Sequence, residues 1–166
     1  AVSAITPAGV VGADGTLYPC DVIVWGTGFK ATEFVAPMRI FGERAGAGMQ
    51  VPELGAQWQG APAATRLGIT VVGFPNLFML VGPNTGLGHN SIVFMIECQV
   101  DYIVRALTAI RGKQNGVLRL RPDVQQDEYT QIQQKMKGTV WSSGCKSWYQ
   151  NADGHIDTLW PGYTWE

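Results

Sequence analysis

Apolar residues recur at helical spacing from Ser91 to about Ile110, where Ile92, Val93, Ile96, Val100, Ile103, Val104 and Leu107 return every three or four positions. Asn90 or Ser91 stands where an N-cap is needed and Gly112 where a helix ends, so the pattern predicts one long capped helix. A second helix is predicted from about Asp123 to Lys137, with Val124, Tyr129, Ile132 and Met136 turned inward and Gly138 after it. Residues 1 to 29 follow another rhythm: Val2 to Ile5, Gly9 to Val11, the Asp14-Gly15 pair, then Thr16 to Tyr18. An Asp-Gly pair between apolar segments suits a tight hairpin, because Gly tolerates a positive φ, and short antiparallel strands are expected. The continuous run from Asp21 to Trp25 predicts a strand buried on both faces, closed by Gly26-Thr27-Gly28-Phe29. Leu77 to Val81 predicts another, running straight into Gly82-Pro83-Asn84-Thr85-Gly86-Leu87-Gly88-His89-Asn90-Ser91. Between Lys30 and Pro75, short apolar stretches at Met38 to Phe41 and Leu67 to Val72 have no sustained period, so loops and short strands are expected. The tail from Thr139 holds four of the six tryptophans and little periodicity.

Composition narrows the class. With 166 residues, 46% hydrophobic and 15% charged, the chain has the length and apolar content of one globular domain rather than a disordered tail. Its 12 Lys and Arg against 13 Asp and Glu give a formal net charge of -1, so no global field draws it to nucleic acid or to an anionic membrane. Cys20, Cys98 and Cys145 are odd in number and far apart, which suits neither a disulfide framework nor a zinc site. Reduced thiols and a cytoplasmic location are the expectation. The longest apolar runs, Gly73 to Gly82 and Ile92 to Ile96, fall short of the roughly 20 residues that cross a bilayer, so no membrane partner is expected. The N-terminus lacks a basic start followed by an apolar stretch, and reads as a chain joined in its middle rather than as a signal peptide.

Chemistry enters at two glycine-rich turns. A helix start presents unpaired N–H groups and a partial positive charge, and glycines before it let a ligand approach the main chain. The segment from Leu77 to Ile110 thereby suits a phosphate or the electron-rich edge of a flavin ring, although spacing alone favours an ordinary strand-to-helix turn. Gly26-Thr27-Gly28-Phe29-Lys30-Ala31 fits G-x-G-x-x-A after a strand. Pro37 interrupts the helix that a dinucleotide-binding turn requires, and no second strand ends in an acidic residue about 20 positions on.

Three segments, in this order and spacing, carry a family resemblance. DVIVWGTGF resembles the D-x-V-x-x-A-T-G-F segment that returns the chain from the NADP domain to the FAD domain in flavin-containing and Baeyer–Villiger monooxygenases. FPNLFMLVGPNTGLGHNSIVFMIECQVDYI resembles their late strand, flavin-facing loop and following helix, and TVWSSGCKSWY with WPG resembles the tail of one bacterial subgroup. The resemblance implies an α/β chain, the C-terminal portion of a FAD/NAD(P)-binding Rossmann-like three-layer fold with a partial sheet, a long helix and an irregular tail. Residues 1–166 would form a single domain segment: 1–29 strands and return segment, 30–76 loops and short strands, 77–111 strand, loop and helix, 112–166 helix and tail. It implies that Gly26, Thr27 and Gly28 pass close to FAD, that Asn84, Thr85, Gly86 and Leu87 line the flavin ring, and that the helix from Asn90 or Ser91 points its positive end at the N1 and C2 carbonyl edge. Gly26 stands where the family usually has Ala. The implied parent enzyme takes electrons from NADP(H) through FAD, consumes O2, and inserts oxygen into a ketone or adds it to a soft heteroatom.

The family's G-x-G-x-x-G motifs for FAD and NADP, its F-x-G-x-x-x-H-x-x-x-W-P fingerprint and its catalytic arginine are not among these residues. Activity from this piece alone is therefore not expected, and no catalytic residue is assigned. Two other readings stay open: an inert truncated fold or self-association module with exposed apolar surface, giving a homo-oligomer, and a self-contained nucleotide-binding domain built on Gly26 and Gly28.

Single residues divide similarly. His89 either meets the cofactor or steadies its own loop. His155 and Asp157 are expected at the surface, and Glu97 is expected to face solvent or a partner. Ser91 lacks the G-x-S-x-G setting of a nucleophile and reads as a cap. Cys98 and Cys145 have no activating base nearby. Trp141, Trp148, Tyr149 and Trp160 read first as packing aromatics, while the resemblance implies the substrate or nicotinamide side of the site.

Overall fold

The computed structural model describes residues 1–144, 149–151 and 153–164, and divides into two compact units, Ala1–Lys30 and Ala31–Glu166.

The N-terminal unit is a three-stranded antiparallel sheet of β1 (Val2–Thr6), β2 (Gly9–Gly12) and β3 (Leu17–Tyr18), with β2 central. The expected hairpin forms at Asp14-Gly15: Gly15 takes φ +81°, and Asp14 accepts from Thr16 N at 3.1 Å and Thr16 Oγ1 at 2.9 Å. Those bonds hold the Asp14 carboxyl below its ordinary value. The doubly buried strand expected at Asp21–Trp25 does not form, and Trp25 and Phe29 are 69% and 90% exposed. A central strand needs a hydrogen-bonded neighbour on each side, and the unit's sheet pairs none of these residues. The apolar run registers a demand for burial without supplying the partner.

The second unit is helical, with α1 (Leu54–Trp58), α2 (Ile92–Ile110), α3 (Pro122–Met136) and a 3-10 turn at Val140–Ser142. α2 lies where the periodicity places it; Ser91 Oγ accepts from Phe94 N at 3.4 Å, and Gly112 takes φ +78° just beyond the end. Only part of its apolar stripe turns inward. Met95 and Gln99 are buried and Ile96 and Ile103 half-buried, whereas Ile92, Val93, Val100, Val104 and Leu107 are exposed. The apolar stripe is wide enough to span two faces, and only one of them packs. α3 matches closely: Tyr129, Ile132 and Met136 are buried and Val124 half-buried, with Pro122 and Asp123 opening the helix and Lys135 in its last turn.

Residues 77–81 form no strand; Val81 takes φ +53°, and Met79 N donates to Ile69 O at 2.8 Å. Side chains from the two long helices supply the partners that a ladder would have given. Gln99 accepts from Val81 N and donates to Leu67 O, both at 2.9 Å, while Gln125 accepts from Val72 N at 2.8 Å. Buried Glu128 accepts from Leu67 N at 2.7 Å and pairs with Arg66. Sheet structure is therefore confined to the N-terminal unit among the described residues, and the one parallel pairing is the isolated bridge Gly86 to Leu159. Val35, Leu54, Val71 and Phe74 make one core cluster; Met136, Ile156 and Leu159, covered by Trp141 and Tyr149, make another.

Leu54 is fully buried. Leu54→Ala is expected to cost about 3 kcal/mol in urea unfolding, whereas Val104→Ala on the exposed face of α2 should stay within about 0.5 kcal/mol. Equal losses would contradict this assignment of inner and outer faces.

Candidate functional site

The loop Gly82–Ser91 divides into a bound inner half and an open outer half. Asn84, 1% exposed, sits at φ +64°, a left-handed conformation that Asn tolerates better than most residues. Its main-chain N–H donates to Asp157 O at 2.6 Å and its side chain to Ile156 O at 3.2 Å. Thr85 is buried and donates to Gly82 O at 2.6 Å. Gly86 N donates to Thr158 O at 2.9 Å and Gly86 O accepts from Trp160 N at 2.8 Å. A Cβ on Gly86 would stand 2.6 Å from Thr158 O, so only glycine permits this approach of two backbones.

In the outer half, Leu87 is half-buried and Gly88, His89, Asn90 and Ser91 are exposed. Asn90 Oδ1 accepts from Ser91 N at 2.9 Å, so Asn90 and Ser91 together shape the start of α2. The main-chain N–H groups of Leu87, Gly88, Ile92 and Val93 have no partner among the described residues. Unpaired donors beside a glycine, at the positive end of a 19-residue helix, fit an acceptor-rich edge such as that of a flavin.

The tail aromatics pack around this loop. His89 lies 5.9 Å from both the Trp141 and the Tyr163 rings, and a Cβ on Gly88 would stand 2.9 Å from Trp141 Cζ2. Trp160 borders a cavity of about 330 Å³ that Thr85, Met95 and Gln99 also line. Trp148 and Cys145 lie outside the described residues; Cys98 and Glu97 are exposed on α2. Gly26, Thr27 and Gly28 belong to the N-terminal unit, with open space where a Cβ of either glycine would stand. Residues 29–53 form no helix, so the dinucleotide-binding turn lacks the element that would hold its phosphate.

Asp157 is not at the surface, as the sequence suggested, but 3% exposed. Its carboxylate accepts from Tyr129 Oη at 2.9 Å, Ala63 N at 3.2 Å and Asn151 Nδ2 at 3.3 Å. His155 is half-buried, with Nδ1 3.1 Å from Tyr129 Oη. Three donors replace the water that this carboxylate gives up, and two of them, Tyr129 and Ala63, lie 28 and 94 positions away, beyond the reach of local spacing. Burial, then the charge and hydrogen bond of Asp157, push the Tyr129 phenol well above its ordinary value of 10.0. Glu128 and Gln99, the buried side chains that fix Leu67, were missed for the same reason.

No family model matches the chain. A Baeyer-Villiger monooxygenase of Pseudomonas aeruginosa is 42% identical over 166 residues, 99% of this chain, and one of Streptomyces coelicolor is 38% identical over 169 residues, again 99%. The chain is homologous to Baeyer–Villiger monooxygenases along almost its whole length. It spans about 30% of the length of these curated relatives. Among solved structures, cyclohexanone monooxygenase from Rhodococcus sp. Phi1 bound to NADP+ superposes with a TM-score of 0.73 and 26% identity, over 98% of this chain and 30% of that one. Steroid monooxygenase bound to NADP gives 0.70 and 26%, over 95% and 28%. The Baeyer–Villiger likeness therefore rests on sequence and on fold alike.

The raised Tyr129 value has a definite sign. Above pH 10 the unfolded chain gives up the phenolic proton while the folded chain keeps it, so stability is present below that value and lost as pH rises beyond it. The stability difference between the protein and Tyr129→Phe should be constant at neutral pH. It should shift against the unsubstituted protein by about 1.4 kcal/mol per pH unit in the alkaline range. Urea unfolding on both sides of the tyrosine's ordinary value measures it; a pH-independent difference would contradict the burial of this phenol.

Proposed function

We propose that this chain is the C-terminal segment of the FAD domain, Rossmann-like and three-layered, of an NADPH-dependent monooxygenase that inserts oxygen into a ketone or adds it to a heteroatom. The observation that carries the reading is the 42% identity to a Baeyer-Villiger monooxygenase over 99% of this chain. Residues 1–166 would serve as one domain segment in the cytoplasm, with O2 and a small ketone or heteroatom compound as its partners.

FAD, when bound, supplies the redox centre through which electrons from NADPH reach O2. The residues of this chain hold and polarise it. The free N–H groups of Leu87, Gly88, Ile92 and Val93 place fixed positive ends where negative charge collects on a reduced ring, with no reorganisation needed at that moment. Asn90 and Ser91 keep the start of α2 wound so that those donors stay aimed outward. Asn84 and Thr85 are spent on internal hydrogen bonds, so they shape the wall beside the ring instead of donating to it. Leu87 supplies apolar surface. In the N-terminal unit, Gly26 and Gly28 have open space where a Cβ would stand, and with Thr27 they would pass close to FAD.

Self-association is the second reading, favoured by the exposed Val93, Val100, Val104 and Leu107 on one side of α2. The protein expressed at the full length of its gene separates the two. It should retain FAD in a one-to-one ratio, oxidise NADPH in air, and carry one atom of 18O2 into a ketone or sulfide. A protein that holds no flavin and instead shows concentration-dependent dimers in sedimentation would contradict the monooxygenase reading.

A further inference from the structure

Residues 156–160 run alongside Asn84–Gly86 and hold them at the main chain, through Asn84 N to Asp157 O, Gly86 N to Thr158 O, and Trp160 N to Gly86 O. At its start the strut also meets the tail, through the isolated antiparallel bridge of Gln150 with Ile156. What fixes it is the Asp157 carboxylate, which gathers Tyr129 Oη from α3, Ala63 N from the segment before the core, and Asn151 from the tail. Gln133 Nε2 adds a bond from α3 to Ile156 O at 3.1 Å. Every group facing the carboxylate is a donor and none is a cation. An amide in its place keeps one oxygen for Ala63 N and Asn151 Nδ2 but reverses the bond to Tyr129 Oη, whose proton must then turn to His155 Nδ1, 3.1 Å away, and the charge that strengthens all three bonds is lost.

We propose that Asp157 is a positioning residue for the flavin-facing loop: through its own carbonyl and the strut around it, the carboxylate sets the height of Asn84–Gly86 and hence the aim of the donors from Leu87 to Val93. The inference rests on the flavin-facing reading of that loop. Asp157 touches no reacting atom. Its influence passes through 2.6–2.9 Å main-chain bonds, which transmit a shift of the strut directly into the loop. Tyr129 is the second member of the device, because it alone anchors the carboxylate to α3.

The test compares Asp157→Asn, Tyr129→Phe and, as a control for lost stability alone, Leu54→Ala in the FAD-loaded protein. Asp157→Asn is expected to alter the visible circular dichroism of the bound flavin, to shift its midpoint potential, and to lower kcat by roughly a hundredfold with KM little changed. Tyr129→Phe should move each readout the same way by less, and Leu54→Ala should lower Tm while leaving spectrum and potential as in the unsubstituted protein. Should Asp157→Asn fail to fold, Tyr129→Phe alone decides. A Tyr129→Phe or Asp157→Asn protein with unaltered flavin dichroism and potential would overturn the proposal. If the unsubstituted protein binds no FAD, the flavin reading falls by itself. Amide exchange at Asn84 and Gly86 then decides on the strut: faster exchange in Asp157→Asn than in Leu54→Ala supports it, and equal exchange overturns it.

Discussion

Asn84 N on Asp157 O, Gly86 N on Thr158 O and Trp160 N on Gly86 O join two segments that lie about seventy residues apart in the chain. Closing so long a loop costs entropy that three hydrogen bonds do not offset alone. The closure is sustained by what surrounds it: the cluster of Met136, Ile156 and Leu159 under Trp141 and Tyr149, and the buried Asp157 carboxylate. Once the tail is held there, the inner half of the loop is held with it. The outer half is then left with free N–H groups at the head of α2. A loop that loses this tether keeps its glycines and loses its geometry.

The same economy recurs in the second unit. It has no multi-residue strand among the described residues, and Gln99, Gln125 and Glu128 reach from two helices to pair the N–H groups of Val81, Val72 and Leu67. Side-chain amides and carboxylates of this kind act at single positions, so they tolerate the positive φ of Leu67 and Val81 that a regular ladder would not. Arg119 with Glu43 and Arg39 with Glu53 add bidentate pairs at the rim; being exposed, they contribute geometry more than stability.

Features written in local order were legible. The Asp14-Gly15 hairpin, the capped helix beginning at Ser91 and the inward set of α3 all follow from residues within a few positions of one another. The likeness to Baeyer–Villiger monooxygenases is also readable from three motifs in sequence order. What failed depended on distant partners. Val22 to Trp25 and Leu77 to Val81 have the composition of strands, but a strand exists only with a neighbour to pair with. Asp157 and His155 looked like surface residues because Tyr129 and Ala63 are 28 and 94 positions away from Asp157. The outward turn of Val93, Val100 and Val104 had the same origin, since periodicity gives a stripe and not its covering.

The division of the loop into a bound inner half and an open outer half is the claim on which the functional reading turns. Amide hydrogen exchange of the full-length protein, with and without saturating FAD, measures it residue by residue. Asn84 and Gly86 should be protected in both states, while Leu87, Gly88, Ile92 and Val93 should exchange freely without FAD and become protected when it binds. FAD binding that leaves those four amides unprotected would contradict the account.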